Sequence, residues 1–232
     1  MGQSQDIVSE TFKIRRQLSD QESMWDGFEF GRPSYYASDF DDFHKYAAGD
    51  WTITAVGSGS VALKAATDPL GNLLITNAAA DDDSQSLQKV GHAFAPASGK
   101  KLYYECRVKI SDATQSDLLV GICATDTTPL ANANSIVFYK ADGALTGSFI
   151  TTNTSVSSTD AGIFTMADDT YIKLGFKVSG TGLVEYWVND VKKGSLTTNI
   201  PTAVQRITIH VQNGEGVAKN ASVDYVFCAQ ER

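Results

Sequence analysis

The sequence predicts an all-β chain, an antiparallel β-sandwich preceded by an N-terminal arm that contains a short helix. Three observations carry this. From Trp51 onward, short runs of alternating apolar and polar residues recur at close intervals, among them WTITAV, NLLITNA, LYYECRVKI, YIKLGFKV, LVEYWV, RITIHV and SVDYVFCA. Turn-forming residues separate these runs, including Gly57-Ser58-Gly59, Asp142-Gly143, Asn189-Asp190 and Asn213-Gly214. No stretch of this region has convincing helical periodicity.

Successive side chains on a strand point to opposite faces, so the runs assign an inside and an outside. Ile172, Leu174, Phe176 and Val178 oppose Tyr171, Lys173 and Lys177. Leu102, Tyr104, Cys106, Val108 and Ile110 oppose Tyr103, Glu105, Arg107 and Lys109. Ile207, Ile209 and Val211 oppose Arg206, Thr208, His210 and Gln212. One dry and one wet face per strand is what the sheets of a sandwich require. Residues 147–170 have the weakest pattern, either a hairpin or an exposed polar loop. In GLVEYWVNDVKKGSL (182–196), Asn189-Asp190 fills a two-residue turn between strands. With Val184, Tyr186 and Val188 facing the core, Trp187 faces outward. There it either stacks on a sugar ring or is covered by the arm or a neighbouring subunit.

Residues 1–48 form the arm and residues 49–232 the sandwich. Ile7, Val8, Phe12, Ile14 and Leu18 make a thin apolar stripe. SDQE at 19–22 has capping-box spacing and predicts a short helix over about 20–27. An aromatic stretch follows, with Trp25, Phe28, Phe30, Tyr35, Tyr36, Phe40 and Phe43 interrupted by Gly27, Gly31 and Pro33. Such a stretch is too apolar for water and too broken to form a core, so it docks on its own domain, a sister subunit or a larger surface. Phe12, Ile14, Leu18, Trp25, Phe28, Phe30, Tyr35 and Tyr36 are the partner-binding candidates.

Composition narrows the function classes. Hydrophobic residues make up 42% and charged residues 20%, as in a globular chain. The net charge of −8 argues against nucleic acid as a partner, because phosphate binding needs clustered Lys and Arg. Three widely spaced cysteines give neither a disulfide framework nor a zinc pattern, and imply a reducing compartment. No run of 18 apolar residues occurs, so no membrane span is expected, and MGQSQDIVSE lacks the apolar core of a signal peptide. The sequons at Asn153 and Asn220 read as chance.

The search for catalytic chemistry is thin. A glucanase on a sandwich needs two carboxylates on one strand face, and no E-x-D-x-E run exists. Glu105 and Glu185 stand alone on their strands. His44, His92 and His210 have no metal-ligand spacing, and His210 reads as a surface residue. AADDDSQS at 79–86 and the Asp126, Asn132, Asn134 loop read as polar turns rather than calcium sites. The expectation is a protein that is not an enzyme, with no catalytic residue, cofactor or metal.

Residues 50–232 resemble the concanavalin A-like (laminin G-like) jelly roll, with GLVEYWVNDVKKGSL similar to that superfamily's late hairpin. More narrowly, GDWTITAVGSGSVAL, NLLITNAAADDD, KLYYECRVKI and SVDYVFCAQER resemble structural proteins of tailed bacteriophages. That resemblance implies a virion component assembled in the bacterial cytoplasm, of the capsid decoration (cement) type. The implied partners are the major capsid protein and further copies of the chain, as trimer or dimer, with the arm bridging capsid subunits. The alternative is a carbohydrate-binding head fibre or tail adhesin that recognises host glycans, with Trp187 as the glycan-binding candidate.

Overall fold

The alternating runs become strands in a computed structural model, which describes residues 22–29, 33–64 and 71–232. The expectations placed on Phe12, Ile14, Leu18 and Phe30 lie outside these residues.

Two antiparallel sheets face each other. The first runs β13 (Val191–Leu196), β12 (Leu183–Val188), β11 (Ile172–Ser179), β6 (Lys101–Ile110), β15 (Asn220–Glu231), β4 (Leu73–Asn77), β3 (Gly59–Leu63). β1 (Tyr36–Asp41) also joins it, pairing with the C-terminal half of β15. The second runs β10 (Val156–Thr165), β9 (Thr146–Asn153), β8 (Asn134–Lys140), β7 (Ser116–Cys123), β14 (Arg206–Asn213), β5 (Ser84–Lys89), β2 (Trp51–Val56). Neighbouring strands come from distant parts of the sequence, as in β6 with β15 and β5 with β14.

The inward residues are those the alternation assigns. Tyr104, Cys106, Leu174, Phe176, Ile207 and Ile209 are fully buried in one core. Its centre is aromatic: Phe149 stacks on Tyr186 at 4.3 Å between ring centroids, and Tyr104 on Phe176 at 4.9 Å. Each such side chain contributes about 1.5–3 kcal/mol by leaving water, so the sandwich needs no disulfide. Cys106, Cys123 and Cys228 are all free and buried.

Three local expectations are resolved. Residues 146–165 form the β9–β10 hairpin, with a bulge between Asp160 and Phe164 that disrupts the alternation there. The helix expected over about 20–27 is, in its described part, a turn at 24–27. There Trp25 and Phe28 anchor the chain to the sheet below it, and this tertiary contact outweighs the capping signal. Among the described residues of the arm, Pro33–Tyr35 form a 3-10 turn. The stretch assigned to the arm also supplies parts of the sandwich: β1 is a strand of the first sheet, and Phe43 is fully buried against Trp51.

Candidate functional site

Each sheet has an outer face, and the two differ. On the outer face of the second sheet the strand registers align rows of polar groups. His210 lies opposite Ser86 on one side and Leu119 on the other; Gln212 lies opposite Ser84 and Asp117. Thr208 and His210 read as solvent-facing in the sequence, yet both are buried, as are Ser84, Ser86, Gln88, Leu119 and Val137. The loop between β7 and β8 folds over them, with Pro129–Ala131 as a 3-10 turn.

Hydrogen bonds hold that loop down. The Gln88 side chain donates to the Ala124 carbonyl at 3.1 Å and accepts from the Asp126 N–H at 2.9 Å. Asp126 Oδ1 accepts from the Thr128 N–H and hydroxyl, and Asn132 Oδ1 from the Asn134 N–H. Two of the oxygens considered for calcium, Asp126 Oδ1 and Asn132 Oδ1, are thus engaged by the loop's own donors, and Asn134 Oδ1 accepts from the Thr154 N–H. Among the described residues no cluster of His, Cys, Asp and Glu could hold a metal ion.

Pro129, Leu130 and Ala131 divide the face into two cavities. One, of about 280 Å³, is lined by Thr54, Ser84, Ser86, His210 and Gln212 beneath the loop. The other, of about 290 Å³, has Leu119, Val137 and Ile150 with Ser135, Tyr139 and Thr152. Neither is lined by Lys, Arg, Asp or Glu, although the chain is strongly acidic overall. At the margin, the Tyr139 hydroxyl donates to Asp117 Oδ1 at 2.7 Å, and burial raises the Asp117 carboxyl above its usual range.

His210 is the centre of the first cavity. Its Nδ1 lies 2.6 Å from Ser86 Oγ, and its Nε2 is buried with no hydrogen-bond partner. Burial pushes its pKa down to about 4, against a weak opposing effect of Gln212, so the ring is neutral near pH 7. The surface reading of His210 is therefore corrected: its strand face is polar, but a loop from elsewhere in the sequence covers it. Nothing in the local pattern signals that cover.

Residues 22–29 cover part of the outer face of the first sheet. Trp187 is 3% exposed, and its Nε1 donates to the Glu22 carbonyl at 2.8 Å. Lys177 and Lys192 flank its ring with Nζ at 5.3 and 5.9 Å from the centroid. Of the two expected covers, the arm is the one that lies over Trp187. Glu185 beside it is held below the usual carboxylate range: burial opposes its charge, but hydrogen bonds from Lys192 and Lys177 outweigh this. Trp25, Phe28 and Tyr36 pack against Tyr103, Phe227 and Ala229 of the chain's own sheet, while Tyr35 is exposed.

No protein-family model matches the chain, and no curated protein matches it. Solved structures do. A β-glucanase of Bacillus licheniformis superposes with a TM-score of 0.62 at 17% identity, over 82% of this chain and 96% of that one. A non-specific endo-β-1,3(4)-glucanase from family GH16 gives 0.61 at 15% identity, over 86% and 93%. The carbohydrate recognition domain of Emp47p gives 0.58 at 11% identity, over 84% and 95%. None of the three is a phage virion protein, so the capsid-decoration expectation gains no support from them. The expectation that the chain is not an enzyme is corrected by the glucanases, which carry out glycan hydrolysis on this same sandwich. That expectation rested on the absence of local catalytic motifs, and motif spacing along a sequence does not report which groups the fold brings together. What the chain shares with these structures is the fold: two antiparallel sheets in a concanavalin A-like jelly roll.

Proposed function

We propose that the outer face of the seven-stranded sheet binds a neutral carbohydrate chain. The observation that carries this is the lining of its two cavities, hydroxyl, amide and imidazole groups beside apolar side chains, with no charged group. A sugar ring presents the complementary surface, C–H faces for Leu119, Val137 and Ile150 and hydroxyls for Ser84, Ser86, His210 and Gln212. Few polar groups placed on an apolar wall are the usual composition of a small-molecule site. The buried Nε2 of His210 supports the reading further, because an orphaned buried polar atom costs about 1–3 kcal/mol and a ligand hydroxyl would satisfy it. The fold's occurrence in a carbohydrate recognition domain and in glucanases agrees.

A panel of neutral and acidic oligosaccharides tests this. Neutral glucans and related chains are expected to bind, and uronate or sialylated ones to bind more weakly, because no cation lines the cavities. Mixed-linkage β-glucan belongs in the panel, with released reducing ends measured in the same samples. Leu130→Arg, which puts a charge on the divider at a partly exposed position, is expected to abolish binding without unfolding the chain. Absence of binding to every glycan would overturn the proposal.

A further inference from the structure

The opposite face of the molecule carries a cavity of different chemistry. Alternation on β15 turns Tyr225 and Phe227 outward from the first sheet. Register places Phe227 between Glu105 of β6 and Phe40 of β1, so the three lie in one row across the sheet. Trp25 and Phe28 come down onto this row from the covering segment, with ring centroids 5.6 and 5.9 Å from Phe227. Between them is an open cavity of about 340 Å³ lined by Trp25, Phe28, Phe40, Tyr225, Phe227 and Glu105.

Glu105 is the feature that calls for a ligand. It is 8% exposed, so its carboxylate is largely out of water. The Tyr225 hydroxyl donates to one of its oxygens at 2.6 Å. Its second oxygen accepts no hydrogen bond, and no cation forms a salt bridge with it, among the described residues. Lys173, whose charge acts on it, is itself paired with Asp190 at 2.5 Å. A desolvated carboxylate without a counterion is costly, and burial accordingly raises the Glu105 pKa.

We propose that this aromatic cup binds a small organic cation, an alkylated or quaternary ammonium group, with Glu105 as its counter-charge. Aromatic faces are electron-rich and attract cations that carry little bound water. A hydrated metal ion would find one carboxylate and no further ligands. A sugar would find too few partners for its hydroxyls. An alkylammonium meets both parts of the lining, methyl groups against the rings and charge against Glu105. Phe40, at 60% exposed, is the open wall through which it enters.

Choline is the probe, titrated by calorimetry against the full chain. Its uncharged isostere, 3,3-dimethylbutan-1-ol, separates cation recognition from plain apolar packing. Choline is expected to saturate, with the isostere and the Glu105→Gln variant each weaker by about tenfold. Phe40→Ala alters an exposed wall without touching the core and is expected to weaken choline several-fold, which keeps the test open if Glu105→Gln fails to fold. Phosphatidylcholine vesicles in a second arm identify the source: co-sedimentation competed by choline assigns a lipid headgroup, and its absence alongside choline binding assigns a free cation. No saturation by choline, equal binding of the isostere, or a folded Glu105→Gln with unchanged affinity would overturn the proposal.

Discussion

Ser86 Oγ and His210 Nδ1 lie 2.6 Å apart at directly paired positions of β5 and β14. The pair is buried on the outside of a sheet, and the other ring nitrogen, Nε2, has no partner. A site of this kind has consequences for stability as well as for binding.

The first concerns pH. His210 titrates at about 4 in the folded chain and near 6.5 when exposed. As pH falls, the unfolded chain takes up the proton first. The stability that depends on a neutral His210 is thus complete above about pH 6.5 and is lost as pH drops toward 4, by about 3 kcal/mol in all. Urea unfolding at pH 7.5 and 4.5 checks this. Wild type is expected to lose more than His210→Gln between the two pH values; equal losses would show that His210 is not the group responsible.

Gly121 supplies a second prediction. It sits on β7 beside β8, and a Cβ there would come 2.3 Å from the Ile136 carbonyl oxygen and 2.8 Å from Val137 Cα. Both are backbone atoms in a paired strand and cannot rotate away. Gly121→Ala is expected to destabilise the chain by about 3 kcal/mol or more, by forcing β8 off β7. Denaturant midpoints measure it, and a loss below about 1 kcal/mol would contradict the contact.

The late hairpin offers a stabilising change. Asn189 and Asp190 both have positive φ, 48° and 66°, as a type I′ turn requires. Asp190→Gly removes the Cβ crowding of that conformation. It also breaks a pair with Lys173, but Asp190 is mostly exposed there and such pairs contribute little. A net gain of about 0.5 kcal/mol is expected, seen as a small rise in Tm. A fall in Tm would mean that the ion pair matters more than the turn.

Thiol chemistry gives a fourth check. Cys106 and Cys123 are pushed up to about 12 by burial, and Cys228 is raised as well. Since the thiolate is the reactive form, an aromatic disulfide reagent at pH 8 is expected to leave the native chain unlabelled and to modify all three cysteines after unfolding. Rapid native labelling would show that a cysteine is accessible.

The sandwich was legible because period-two alternation is written locally, as in Ile172 to Val178, and because Asn189-Asp190 forms its turn from its own two residues. The site was not. Ser86 and His210 are 124 residues apart; Ser86 falls in a stretch that reads as a polar turn but begins a strand, and His210 looks like an ordinary polar position on a wet face. What sets them apart is a cover supplied by residues 127–131, a tertiary event with no periodic signature. The arm fell between these cases. Its aromatic content demanded a surface, but composition could not choose between the chain's own sheet and another molecule; Trp25, Phe28 and Tyr36 pack on the chain's own sheet. Phage likeness in strand patterns such as NLLITNAAADDD reports strand order and turns, which unrelated proteins on one fold can share.

The most direct test is a calorimetric titration of a neutral oligosaccharide selected from the panel, on wild type and on His210→Ala, with melting curves confirming that both are folded. Saturable binding by wild type, weakened by about tenfold in the variant, is the predicted result. Undiminished binding by a folded His210→Ala chain would contradict the placement of the site on the seven-stranded sheet.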